Sequence, residues 1–363
     1  MVLIRMRGWL MTTQMLFATP TSDKGSAIGI PRPPTLLELA SQLLSSDFRA
    51  DSAIDWGKLP GLISKGTSAI ATAYESEDSA LLHDVHHALY MLQSAHFASP
   101  DDVAAASQFS PFTVALRSSM EDVMIDRMLS KLELDEAVDQ LGSAIREQVR
   151  QHPAGAHRLF DHLEQRASVA EIRLFFESDA RLNERFFDLL AMCLVGTSGT
   201  AKTELAANLW DEAGRGNNAR GHVHLFSEAL AAVGGREPTI ESLASWEWQA
   251  LAGHNLFVAL CSNRKHTFRA MGLMAATELL DPPQYSKLIQ GCRRVGLPVP
   301  EYYSEHVEID VVHGSGWLDN VIAPLARSNP RAARHILEGV ALRLESCRDY
   351  YDTLLRKLQS IGS

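Results

Sequence analysis

Residues 301–313, EYYSEHVEIDVVH, hold the side chains whose types and spacing best suit chemistry. His306, Asp310 and His313 stand at i, i+4 and i+7. At about 100° per residue they fall within a sector of about 60° on one helix face. Two imidazoles and a carboxylate aligned in this way can converge on a metal, a mixed nitrogen and oxygen set that suits iron, manganese or zinc. A polar solvent face would carry the same residues, so the triplet needs partners from other segments. Three carboxylates offer themselves. Glu278 lies in MGLMAATELL, Glu212 ends the mostly apolar run LAANLWDEAGRG, and Glu177 follows Leu174, Phe175 and Phe176. A lone Glu in such a run is costly to bury unless it is paired or bound to a cation. Three of them, added to the His/Asp/His helix, are the ingredients of a carboxylate-bridged two-metal site inside a helical bundle.

Other constellations carry less. The run HDVHH places His83 and His87 at i, i+4, but the zincin pattern needs a Glu after the first His, and Asp84 stands there. A packed or solvent-facing His cluster is the expectation. The sequence holds no Walker loop, GxSxG elbow or dinucleotide GxGxxG, and GRGNN at 214–218 lacks the strand and the Lys of a phosphate loop. Cys193, Cys261, Cys292 and Cys347 form no CxxC pair and read as reduced, mostly buried thiols of a cytoplasmic protein. With 34 basic against 44 acidic residues the net charge is −10, which excludes a nucleic-acid binder that works by neutralising phosphates. No stretch of 18 apolar residues occurs, so no membrane span is expected.

The elements that must position these residues read as helices almost throughout. Leu36, Leu39, Ala40 and Leu43 share one helix face, and so do Ile125, Met128, Leu129 and Leu132. Residues 331–358 form a long amphipathic run with Ile336, Val340, Leu344, Tyr351 and Leu355 on related faces. No sustained period-2 run marks a strand. Breakers fall at Gly196/Gly199, Gly214/Gly216, Gly234-Gly235, Pro282-Pro283 and Pro298/Pro300. The fold class expected is all-α. Residues 1–34 read as a mobile leader and linker, with Met11 and Met15 as alternative starts. Residues 35–150 read as an N-terminal helical part packing on a bundle of residues 151–363.

On these residues the chain resembles a known family. EAGRGNNARGHVHLF (212–226) is similar to the acidic–Gly–x–Gly loop followed by His-x-x-Leu-Phe of iron-containing redox enzymes with the heme-oxygenase-like fold. YSEHVEIDVVH (303–313) matches that family's last metal helix, with His306, Asp310 and His313 in ligand positions, and Glu278 falls where its penultimate carboxylate stands. The resemblance covers roughly residues 151–328, and more loosely the segment from LLHDVHHALYMLQ to SSMEDVMIDRM. It implies the ligand set Glu177, Glu212, His222, Glu278, His306, Asp310 and His313. Many relatives carry Glu-x-x-His on the second metal helix, but Arg215 stands three after Glu212 here, so the imidazole must come from His222 or His224. On the first helix Glu177 and Glu184 are alternatives, and Glu177 is favoured because Arg181 and Arg185 offer Glu184 salt-bridge partners. Glu204, about two turns before Glu212, is a further carboxylate to place.

The resemblance implies a non-heme diiron oxidase or oxygenase, an O2-dependent oxidoreductase holding two Fe per chain. A carboxylate-rich centre with few imidazoles also suits Mn. The partners implied are O2, a small organic substrate, an external electron donor and a second copy of the chain as a homodimer. The reactions implied are N-oxygenation, desaturation or oxidative C–C cleavage in the biosynthesis of a specialised metabolite. The alternative is a metal-free heme-oxygenase-like helical protein with a binding or regulatory role.

Overall fold

The computed structural model describes residues 34–45, 55–133, 140–239 and 241–361. The leader expected at 1–34 lies, but for Pro34, outside the described residues. Helices α1 (Leu36–Ser45), α2 (Leu59–Ser76), α3 (Ser79–Ser94), α4 (Val103–Ser107), α5 (Pro111–Leu129) and α6 (Leu141–Gln151) come first. They lead into α7 (Arg158–Gln165), α8 (Val169–Leu194), α9 (Gly199–Glu212), α10 (His222–Ala232) and α11 (Trp248–Ser262). The chain ends with α12 (Thr267–Arg294), α13 (Glu301–Gly316), α14 (Ala323–Ser328) and α15 (Pro330–Ile361), with a π-helical stretch at Trp317–Ile322 before α14. The described residues include no strand, as the all-α expectation requires. No described helix is long and apolar enough to cross a membrane. All four cysteines are buried and free.

Local chemistry explains the helices that matter here. At the start of α8, Ser168 and Glu171 form a capping box: the Ser168 hydroxyl accepts the Glu171 N–H and the Glu171 carboxylate accepts the Ser168 N–H at 2.7 Å. Pro298 and Pro300 end the preceding segment, and α13 begins directly after Pro300. The Pro282-Pro283 pair does not break the chain as expected. Helix α12 runs through it, giving up the hydrogen bonds that the carbonyls of residues 278 and 279 would have received. Packing overrides the local cost, because α12 is buried among α7, α8, α13 and α15.

Helix α12 is the central element, and its closest partner is α15. A Cβ at Gly272 would run into the Ile336 carbonyl on α15, and one at Gly339 into the Arg269 carbonyl on α12. Two reciprocal glycines therefore let the backbones touch. The apolar residues expected on α15, Ile336, Val340, Leu344, Tyr351 and Leu355, are all buried. In the N-terminal half α2 packs on α5, and α3 lies against α11. There His86 is buried, with its Nε2 3.1 Å from the Tyr74 hydroxyl and the Asn255 amide donating to its carbonyl. HDVHH is thus a packed aromatic and His cluster, outside both candidate metal groups described below.

Candidate metal centre

Helix α9 ends at Glu212, and the chain doubles back before α10 starts at His222. Gly214 makes the reversal possible. Its φ is +65°, and a Cβ there would strike the backbone of Arg220 and Gly221. Arg215 also adopts positive φ, and its Nε binds Asp211 at 2.6 Å on the protein surface, away from any ligand position. Gly221 then caps α10, and the buried Leu225 and Phe226 turn its His222 face inward. His224 points outward, with a half-exposed side chain 3.4 Å from Glu228. Of the two histidines left open by the sequence, His222 is the one placed beside Glu212.

Six of the seven expected residues come together, in two buried groups: Glu212, His222 and His306, and Glu278, Asp310 and His313. Within each group the ligand atoms lie within 4.8 Å of one another. The helix face of α13 is therefore divided, giving His306 to one group and Asp310 and His313 to the other. Glu212, Glu278, His306 and Asp310 line one internal cavity, so both groups face the same space.

The hydrogen-bond pattern of the histidines is informative. His306 donates Nδ1–H to the Tyr302 carbonyl at 2.8 Å, which leaves the Nε2 lone pair free. His313 donates Nε2–H to Asp211 at 3.0 Å, which leaves Nδ1 facing Glu278 at 3.5 Å and Asp310 at 3.7 Å. His222 has Nε2 3.7 Å from Glu305, and its Nδ1 lies 2.9 Å from Glu212 Oε2. That close pair does not meet hydrogen-bond geometry, and His222 Nδ1 and His313 Nδ1 are both buried without a hydrogen-bond partner. An N and an O so near, yet not aimed at each other, point toward a shared third position. A metal there would satisfy both, with Asp211 orienting His313 through its other nitrogen and Glu305 facing that of His222. Asn208 completes the second group by donating to Glu278 Oε1 at 3.1 Å.

The electrostatics agree. Burial alone would raise Glu212, but His222, then His306 and His313, hold it below the ordinary carboxylate range. Burial, and then the facing His222, push His306 down to about 4, so that it is a neutral imidazole. Asp310 is driven well up by burial and by Glu278. Burial works against a charged His313, yet Asp310, Glu278 and Asp211 hold it up to about 11. Carboxyl groups crowded and buried in this way favour a bound cation, and oxygen and imidazole donors in this ratio suit iron. Aromatic rings shield one side: the Tyr302 ring lies 4.2 Å from that of His306, and Phe226 packs on Tyr302.

Glu177 is not brought to either group. Its carboxylate accepts the Arg236 N–H at 2.9 Å near the surface. The reason is register. The inward stripe of α8 runs through Ile172, Phe175, Phe176 and Asp179, and a residue two positions from Asp179 points about 200° away. Glu184 stays with Arg181 at 3.5 Å, and Glu204 accepts from Asn320 at 2.8 Å. Asp179 and Asp281 line the cavity and were not singled out in the sequence. Asp179 accepts from Asn183 and from the Tyr303 hydroxyl, and burial raises it nonetheless. Burial, offset in part by Arg343, pushes Asp281 up to about 8. The α8 stripe could have revealed Asp179, and Asp281 stands one turn after Glu278. Asp211, which orients His313, and Glu305, which faces His222 at 3.7 Å, had no sequence signal beyond adjacency.

Comparison with known proteins bears out the resemblance. Residues 173–347 match the model of the family described as iron-containing redox enzyme, a stretch that includes all six clustered residues. A nitrosourea synthase of Streptomyces achromogenes subsp. streptozoticus is 29% identical over 150 residues, 38% of this chain, and the chain spans 29% of that protein's length. The crystal structure of a CADD-like protein of unknown function from Nostoc punctiforme PCC 73102 superposes with a TM-score of 0.49 at 16% identity, covering 60% of this chain and 96% of that one.

Proposed function

We propose that the two groups hold two iron ions and that the protein uses O2 to oxidise a small organic molecule. The observation that carries this reading is the orientation of the three histidines. Each has one nitrogen turned into its group, and the other faces a backbone or carboxylate oxygen. Glu212, His222 and His306 would hold one ion, and Glu278, Asp310 and His313 the other. Iron bound there supplies the electrons for reducing O2.

The chain's own residues do the rest. Asp211 and the Tyr302 carbonyl fix the tautomers of His313 and His306, so that neutral nitrogens face the groups. Tyr302 and Tyr285 pack their rings against His306, and Phe226 packs on Tyr302, giving that side of the group an aromatic wall. Phe160, Phe175, Leu182 and Phe186 give the cavity an apolar wall against which a carbon skeleton can lie. Asp179 and Asp281, held up by burial, can keep or release a proton beside the substrate. N-oxygenation, desaturation and oxidative C–C cleavage all fit such a site. A desaturation removes two electrons while O2 takes up four on its way to water, so an external donor supplies the other two. Manganese in place of iron is an outcome of the same experiment. The test is metal analysis of protein loaded anaerobically with ferrous iron, followed by O2 uptake. About two irons per chain and O2 consumption support the reading. Iron near zero overturns it in favour of a metal-free binding or regulatory protein.

A further inference from the structure

Arg343 lies on α15 about one turn beyond Gly339, where that helix touches α12. The close approach puts its Nε–H onto the Thr277 hydroxyl at 3.0 Å and its guanidinium 4.8 Å over the Phe257 ring. The residue is only 9% exposed, and it lines the cavity that opens onto both metal groups. Among the described residues its terminal NH2 groups make no hydrogen bond, and no carboxylate lies within ion-pair distance. Other buried arginines differ: Arg117 has Glu121 at 3.8 Å and Arg181 has Glu184 at 3.5 Å.

A buried guanidinium cannot shed its proton, and its desolvation is offset only by ion pairing and hydrogen bonds. Several of the cavity's other polar groups are already engaged. Asp179 accepts from Asn183 and Tyr303, and the Tyr351 hydroxyl donates to Gln284, which donates in turn to the Ala154 carbonyl. Asp281, the facing acid, is held up to about 8 and so gives little counter-charge at neutral pH. The cationic donors left facing the cavity are those of Arg343; the Tyr350 hydroxyl, which also lines it, is the neutral one left without a hydrogen-bond partner. We propose that Arg343 anchors a carboxylate of the substrate through its two terminal NH2 groups, so that the carbon skeleton runs along the apolar wall toward the metal groups. The substrate class is thus an organic acid. This rests on the oxidase reading for its chemistry, but the anchor can be tested separately.

The probes are hexanoate, octanoate, norleucine and 3-phenylpropionate, each beside its primary carboxamide. Binding is measured by calorimetry and thermal shift on the iron-loaded protein, with iron content assayed in parallel. At least one carboxylate is expected to bind the wild type about ten-fold or more tighter than its carboxamide. Arg343→Gln should abolish that preference while iron content holds. Arg343→Lys, which keeps the charge but not the planar paired donors, should retain part of it. The proposal is overturned if no carboxylate beats its carboxamide, or if the preference survives Arg343→Gln, as it would if the acids bound the metals alone. Should Arg343→Gln not fold, the wild-type preference and the Arg343→Lys value decide. Wild type that takes up no iron on loading yet still prefers carboxylates would strike the oxidase reading and leave the anchor standing.

Discussion

Replacing His222 by Ala tests the arrangement where this chain departs from the pattern of the family it resembles. His222 is one of three ligand residues in its group, and its Nδ1 is buried 2.9 Å from Glu212 with no hydrogen bond of its own. Groups that merely orient metal-bound histidines are worth about 10–100-fold in affinity, so a ligand should cost at least the upper end. That is about 100-fold, or about 2.7 kcal/mol. The first group would then lose its ion at micromolar iron while the second keeps its own, and iron content should fall from about two per chain toward one. His224→Ala is the matched control. Its half-exposed side chain makes a surface ion pair with Glu228, worth about 0–1 kcal/mol, so iron content and melting temperature should stay put. Both variants are loaded side by side, titrated against a chromophoric chelator and checked by circular dichroism. Equal loss in both, or loss only in His224→Ala, would refute the placement of His222. Full occupancy in His222→Ala would show that carboxylates and His306 hold the ion without it.

Glu177→Ala should leave iron content unchanged and lower stability by about 1 kcal/mol through the lost bond to the Arg236 N–H, read by metal analysis and chemical denaturation. Asp211→Asn should weaken iron at the Glu278/Asp310/His313 group by about 10–100-fold and spare the other group, as read from a two-step chelator titration. Iron affinity should rise with pH, with protons released on binding, because His313 and Asp310 are held in their protonated forms before metal enters. His313, raised from its ordinary 6.5 to about 11, stabilises the metal-free fold fully below the lower value and loses that contribution as pH climbs toward the higher. The gap in melting temperature between loaded and metal-free protein should therefore widen from neutral toward alkaline pH, and a constant gap would contradict it.

How far the sequence reveals the site depends on how local each signal is. His306, Asp310 and His313 lie on one uninterrupted helix started by Pro300, so a period of 3.6 suffices to put them on one face. Glu278 stands out as a lone acid among apolar neighbours, and Leu225 and Phe226 mark which side of α10 is inward. The choice between Glu177 and Asp179 turns on register alone. Both lie just after Phe175 and Phe176, and only the full stripe from Ile172 to Asp179 shows which faces the core. Pro282-Pro283 reads as a stop by propensity, but helices packed around α12 keep it whole. Arg343 is least legible. On an amphipathic helix it looks like a solvent-facing charge, and its burial depends on contact between Gly272 and Gly339, 67 positions apart.

The two groups are bound together by the elements they share. One helix, α13, supplies His306 to the first group and Asp310 and His313 to the second, within two turns of rigid backbone. At the end of α9 the adjacent pair Asp211 and Glu212 does the same, with Glu212 in the first group and Asp211 orienting His313 of the second. A shift of either helix moves donors of both groups at once, so neither geometry can relax independently of the other. Helix α12 adds Glu278 and, through its contact with α15, sets Arg343 on the wall of the same cavity, bonded to Thr277 beside Glu278. Thr277, which holds Arg343, and Glu278 are consecutive on α12, so that helix would set the position of a bound acid relative to the second group. Rigid packing of that helix, prolines included, is what would hold a substrate's reacting carbon in register with the ions.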